Sequence, residues 1–104
     1  MFIKFDEYEV LSFFENAPIV IGDYEERNWI YSITKNDFKM TMLVATYEEY
    51  IELSVSYKDN IVCKQRFGNI AEIAEMDFNC LRITTSENKR IILKKEIQLG
   101  VIIE

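Results

Sequence analysis

The chain has 104 residues with no histidine, three glycines and one proline, and 12 basic against 18 acidic side chains give a formal net charge of −6. Without histidine, Ser-His-Asp and Cys-His catalysis and histidine-ligated zinc are excluded, and the scattered Gly22, Gly68 and Gly100 make no phosphate-cradling loop. A hydrophobic fraction of 49% opposes disorder, and no linker, repeat or low-complexity run divides the chain, so residues 1–104 read as a single domain.

The first ten residues carry Asp6, Glu7 and Glu9 where a secretory leader needs an apolar core, and no apolar run is long enough to span a membrane. A cytoplasmic protein is expected. Asp6 followed by Glu9 has capping-box spacing, and Phe5 with Val10 is placed as a hydrophobic staple. Val10, Phe13, Phe14 and Ala17 share one face, and Pro18 stops the run, which predicts a helix over residues 7–16.

After Pro18 the pattern alternates with period two. Strands are expected at Asn28–Lys35, Phe38–Thr46, Tyr50–Tyr57, Ile61–Phe67, Asn79–Thr85, Arg90–Lys94 and Glu96–Ile103. Asn36-Asp37, Asp59-Asn60, Gly68-Asn69 and Glu87-Asn88 punctuate them as tight turns. Residues 70–76 fit either a strand or a helical turn, and the hairpin signal at Gly68-Asn69 favours strand. Connections this short cannot make parallel crossovers. The expected class is α+β: an N-terminal helix packed on a curved, largely antiparallel β-meander, or a partly closed barrel, of about seven or eight strands.

Cys63 and Cys80 each stand in an apolar stretch and read as free, buried thiols; no metal site is expected from two cysteines so far apart. No cofactor and no catalytic residue is indicated, so the chain does not read as an enzyme. Lys89-Arg90 and Lys94-Lys95 read as a solvated hairpin edge rather than a nucleic-acid patch.

The charge is uneven. Residues 1–52 hold 4 basic and 11 acidic groups, a balance of −7, and residues 53–104 hold 8 and 7, a balance of +1. Direct nucleic-acid binding is disfavoured, because phosphate neutralisation needs a basic surface. Two acidic–aromatic clusters lie in the first half, Asp23-Tyr24-Glu25-Glu26 and Tyr47-Glu48-Glu49 with Tyr50 after it. Tyrosine anchors interfaces and carboxylates meet a partner's Lys and Arg, so Asp23, Tyr24, Glu25, Glu26, Tyr47, Glu48 and Glu49 are the candidate partner-binding residues.

A helix ending Phe13-Phe14-Glu15-Asn16-Ala17-Pro18 leads into Tyr31-Ser32-Ile33, then Glu52-Leu53-Ser54-Val55-Ser56-Tyr57-Lys58-Asp59 and Cys80-Leu81-Arg82-Ile83. In size, charge and strand pattern the chain resembles the small acidic immunity proteins of bacterial polymorphic-toxin and contact-dependent inhibition systems. The resemblance implies a protein that binds and neutralises one cognate toxin domain, often a basic nuclease, without cofactor or catalytic residues of its own. Two other readings stay open: a phage or mobile-element inhibitor that mimics nucleic acid with rows of carboxylates, and a curved sheet enclosing a small molecule or lipid.

Overall fold

The structure is a computed structural model that describes residues 3–23, 26–77 and 79–104. The chain enters through a two-residue strand, β1 (Lys4–Phe5), and turns at once into helix α1 (Glu7–Phe14). Asp6 is extended and its Oδ1 accepts the Tyr8 amide at 2.8 Å, the cap expected of it. The capping box is not closed as expected, because Glu9 Oε1 accepts the amide of Glu75 at 3.0 Å instead. Glu75 lies on β7 (Ile70–Asp77), which β1 covers only at Glu72 and Ile73. The carboxylate supplies an acceptor where the parallel pairing has run out.

The helix stops at Phe14, two residues earlier than the pattern predicts, with Glu15 in the left-handed region at φ 62°. A helix leaves its last four carbonyls without internal partners, and here each one has a donor. The Glu15 amide donates to Leu11 O at 2.6 Å, and Asn16 Nδ2 donates to Phe14 O at 3.1 Å. Lys95 Nζ donates to Ser12 O at 3.2 Å and to Phe13 O at 2.8 Å. The basic run therefore does not form a solvated edge throughout: Lys95 is 6% exposed.

One sheet is an antiparallel meander of β2 (Ile19–Ile21), β3 (Asn28–Lys35), β4 (Phe38–Ala45), β5 (Tyr50–Tyr57) and β6 (Asn60–Phe67). The other has the order β1, β7, β8 (Cys80–Thr85), β9 (Arg90–Lys94) and β10 (Gly100–Ile103), antiparallel except for β1 on β7. The single meander of seven or eight strands is thus corrected to two five-stranded sheets, and the described residues form no closed barrel. Gly68-Asn69 is not a hairpin turn; the chain leaves one sheet there and enters the other, as β6 pairs only with β5 and β7 with β1 and β8. Residues 70–76 are strand, as the sequence favours.

The expected alternation fixes which side chains face inward. Tyr31 and Ile33 on β3 stand opposite Met42 and Met40 on β4, which stand opposite Leu53 and Val55 on β5. From the other sheet come Ile70, Ile73, Leu81, Ile83, Ile91 and Leu93, and α1 adds Val10, Phe13 and Phe14. The helix touches β3 of one sheet and β7 and β8 of the other, so it joins the two into one core. The final strand starts four residues later than expected. Ile97 is left-handed at φ 68° and its carbonyl accepts from Asn36 Nδ2 at 3.2 Å, so residues 95–99 form a loop. The cysteines are free, but not both buried as expected: Cys63 is exposed because β6 is an edge strand open on both faces, and Cys80, at the start of β8, is half-buried.

Candidate partner-binding surface

Antiparallel neighbours alternate their loops between the two ends of a sheet, and this brings the two acidic–aromatic clusters together. Ile21 pairs with Asn28, Asn28 with Ala45, and Ala45 with Tyr50, so the β2–β3 and β4–β5 loops leave the same end. Thr46 Oγ1 donates to Arg27 O at 3.1 Å and ties one loop to the other. Asp23, Glu26, Tyr47 and Glu48 are exposed there, and Glu49 is half-buried. Tyr24 and Glu25, expected in the same cluster, lie outside the described residues.

Both loops depend on unusual backbone. Glu49 is left-handed at φ 59°, and its carbonyl accepts the Ile70 amide at 2.8 Å, which anchors the loop to the second sheet. Gly22 has φ 99°, and the Glu26 amide closes a turn on Asp23 O at 3.0 Å. A Cβ at Gly22 would stand 2.9 Å from the Glu26 carbonyl oxygen. Gly22→Ala is therefore expected to destabilise the protein by about 1–3 kcal/mol and to displace Glu26; urea denaturation checks the first and amide chemical shifts around Glu26 the second.

The end is not uniformly acidic. Beyond the β4–β5 loop, a recess of about 250 Å³ is lined by Arg66, Phe67, Gly68, Asn69, Thr85, Glu87 and Lys89. Arg66, together with Lys64, also engages Glu52 on the outer face, each at 3.2 Å. Hydrogen bonds from Lys64 and then Arg66 hold the Glu52 carboxyl below the usual carboxylate range.

Sequence reasoning missed two features next to the clusters. β2 is a short edge strand whose Ile19 and Ile21 are 63% and 53% exposed, beside half-buried Ile30 and Leu43 on the same outer face. The Ile19-Val20-Ile21 triplet after Pro18 was its only signal. On the opposite side of that hairpin, Tyr8 on α1 is largely exposed, and Trp29 stacks parallel to Tyr31, ring centroids 6.5 Å apart.

Tyr31 is fully buried, and among the described residues its hydroxyl has no hydrogen-bond partner. Burial first, then the charges of Glu7 and Asp6, push its pKa from 10.0 up to about 12. A tyrosine in the unfolded chain ionises first, so stability is expected to fall as pH rises from 10.0 toward about 12. Tyr31→Phe removes that part of the loss, and below pH 10.0 it is expected to be neutral or slightly stabilising because an orphaned hydroxyl goes with it. Denaturation of both proteins across this range checks the sign.

Among the described residues, no group of His, Cys, Asp and Glu could hold a metal ion, and no helix is long and apolar enough to cross a membrane. No protein-family model matches the chain, and neither does any curated protein. Its fold does match a solved structure with a TM-score of 0.82, covering 100% of this chain and 98% of the other at 18% sequence identity. The matching chain belongs to a contact-dependent growth inhibition toxin–immunity protein complex from Klebsiella pneumoniae 342. The chain thus shares its fold, over its whole length, with a component of a toxin–immunity protein complex.

Proposed function

We propose that this chain is an immunity-type inhibitor that binds and neutralises a cognate bacterial toxin. The observation that carries the reading is the whole-chain fold match to a component of a toxin–immunity complex. The contact residues are Asp23, Tyr24, Glu25, Glu26, Tyr47, Glu48 and Glu49, and the partner is a basic domain, a nuclease above all. A nuclease groove must attract phosphate and is therefore basic, and residues 1–52, with their balance of −7, complement it. Exposed Tyr47 with β2 supplies the apolar contact that charge alone does not. Inhibition by covering a site needs no catalytic group, no cofactor and no membrane.

Two observations weigh against the competing readings. Glu15, Glu52, Glu72 and Glu104 are each ion-paired with Lys or Arg of the same chain, which is poor mimicry of a phosphate row. Phe13, Phe14, Tyr31, Met40 and Met42 fill the interior where a small-molecule cavity would have to be.

The test is to read the gene beside this chain's own and, with the toxin domain it is expected to encode, to co-express the two in bacteria. Growth is expected to be rescued by the wild-type chain. Glu26→Lys with Glu48→Lys is expected to weaken binding by about tenfold or more, chiefly through slower association. Toxicity unchanged by the wild-type chain, or growth arrest by this chain alone, contradicts the proposal.

A further inference from the structure

The two sheets have four edge strands, and three of them are blunted. β1 has two residues, β2 has three and follows Pro18 directly, and β6 carries Lys64 and Arg66. Short length, proline and charge keep a strand edge from pairing with another chain. β10 (Gly100–Ile103) has no proline and no charged residue, and its Val101, Ile102 and Ile103 are 37%, 41% and 60% exposed. Among the described residues it pairs with β9 alone.

The register of β10 decides what its open edge can accept. Gly100 stands opposite Lys94, Val101 opposite Leu93, Ile102 opposite Ile92 and Ile103 opposite Ile91. The Glu104 amide donates to Arg90 O at 2.8 Å, one step further along the same ladder. Bonded and non-bonded pairs alternate in an antiparallel ladder, so Gly100, Ile102 and Glu104 turn their backbone groups toward β9. Val101 and Ile103 turn their amides and carbonyls away from it, toward the open edge.

We infer that this edge binds a second copy of this chain, β10 against β10 in antiparallel pairing about a two-fold axis at Ile102. The strand is self-complementary in the sense such an axis demands. Centring on Ile102 sets Val101 opposite Ile103 of the second copy and Ile103 opposite its Val101, so every outward amide and carbonyl of the strand is bonded. Centring on Val101 sets Ile103 opposite Leu99 in the loop, and centring on Ile103 leaves Val101 with no opposite residue in β10. On the inner face the row of Leu93 and Val101 continues into Ile103 and Ile91 of the second copy, apolar throughout. On the outer face Gly100 stands opposite Glu104 of the second copy, with Lys94 on the strand beyond. Two strand spacings are about 10 Å, which a lysine and a glutamate side chain span together. Gly100 leaves that path clear, since nothing lies within 4 Å of where its Cβ would be. Glu104, already 2.8 Å from Arg90 of its own chain, then lies between that guanidinium and Lys94 of the second copy.

The pairing leaves the acidic end free. The Ile3 amide donates to Thr46 O at 3.0 Å, which sets the β1 edge of this sheet beside the β4–β5 loop, and β10 is the opposite edge. The dimer is independent of the inhibitor reading, and its test needs no toxin.

Sedimentation equilibrium of the chain alone, from about 10 μM to about 1 mM, reads the association. The mass is expected to rise from 12.4 kDa toward twice that value and no further, with a Kd of about 10⁻⁵–10⁻⁴ M, as suits a small interface. Ile103→Pro removes an outward amide without touching the β9 ladder and is expected to weaken association by about tenfold or more. Ile102→Lys, which sets two ammonium groups face to face on the axis, is expected to do the same and carries the test if proline unsettles the fold; circular dichroism reads the fold of each variant. Glu104→Lys is expected to weaken association by about threefold at low salt and less at high salt. Val62→Lys, at an exposed position of β6, is expected to leave it unchanged. A mass that stays at 12.4 kDa throughout, or one that climbs past twice that value, overturns the assignment. So does wild-type association of folded Ile103→Pro and Ile102→Lys, or equal weakening by Val62→Lys.

Discussion

Phe14→Ala is expected to destabilise the protein by about 3–5 kcal/mol, the range for emptying a large aromatic from a filled core. Phe14 is fully buried, stacks on Tyr31 with ring centroids 5.4 Å apart and meets Phe13 edge-on at 5.1 Å. The helix that carries it has eight residues, too few to hold together without tertiary contacts. Because α1 joins the two sheets, loosening it removes core contacts from both. Urea denaturation followed by circular dichroism measures the effect. A loss below about 1 kcal/mol means that α1 is not the joint described here.

The second large effect is expected at Lys95. Lys95→Ala leaves the Ser12 and Phe13 carbonyls without their donor and removes the stem whose ammonium stands 5.3 Å from the centre of the Phe13 ring. A buried acceptor left unsatisfied costs about 1–3 kcal/mol, and the lost packing adds to it, so a total of about 3 kcal/mol is expected. Lys95→Met keeps the volume and isolates the hydrogen bonds, with an expected cost of about 1–2 kcal/mol. The ion pair with Glu15, 3.4 Å long, involves a carboxylate that is mostly exposed. Glu15→Gln is accordingly expected to change stability by less than about 1 kcal/mol. If Glu15→Gln costs as much as Lys95→Met, the ion pair rather than the helix carbonyls fixes this side chain.

The burial of Lys95 had a signal in the sequence. Ile91, Leu93 and Lys95 continue one period-two row, so Lys95 points inward one residue past the end of β9, while Lys94 stands opposite Cys80 on the outer face. The row needs a polar acceptor at its end, and only the tertiary placement of α1 supplies one. The same limit explains the sheet count. Alternation between Asn28 and Thr85 shows which residues share a face but not which strand lies beside which. Gly68-Asn69 has hairpin chemistry, yet Asn69 at φ 55° turns the chain out of one sheet and into the other. β1 and β2 hold two and three residues, below the length at which alternation becomes a pattern.

The acidic end was more legible than the rest of the site. Two loops flanking one β3–β4 hairpin must leave the same end of an antiparallel sheet, so Asp23 and Glu26 come beside Tyr47 and Glu48 from strand order alone. The packing of α1 on β3 was not legible, because the stacking of Phe14 on Tyr31 is a contact without any local spacing. Ile97 illustrates the same point: a β-branched residue at φ 68° is held there by Asn36, which is 61 residues away in the chain.

The proposal that this chain works by covering a basic toxin is tested most directly by mixing it with the toxin domain expected from the gene beside its own. Calorimetry reads the affinity, and a parallel assay of toxin activity on its own substrate reads the inhibition. The expected result is binding of nanomolar class, about 10⁻⁹ M, that weakens as salt rises, together with loss of toxin activity at equimolar inhibitor. No binding at micromolar concentrations, or a toxin that stays fully active when bound, contradicts the account.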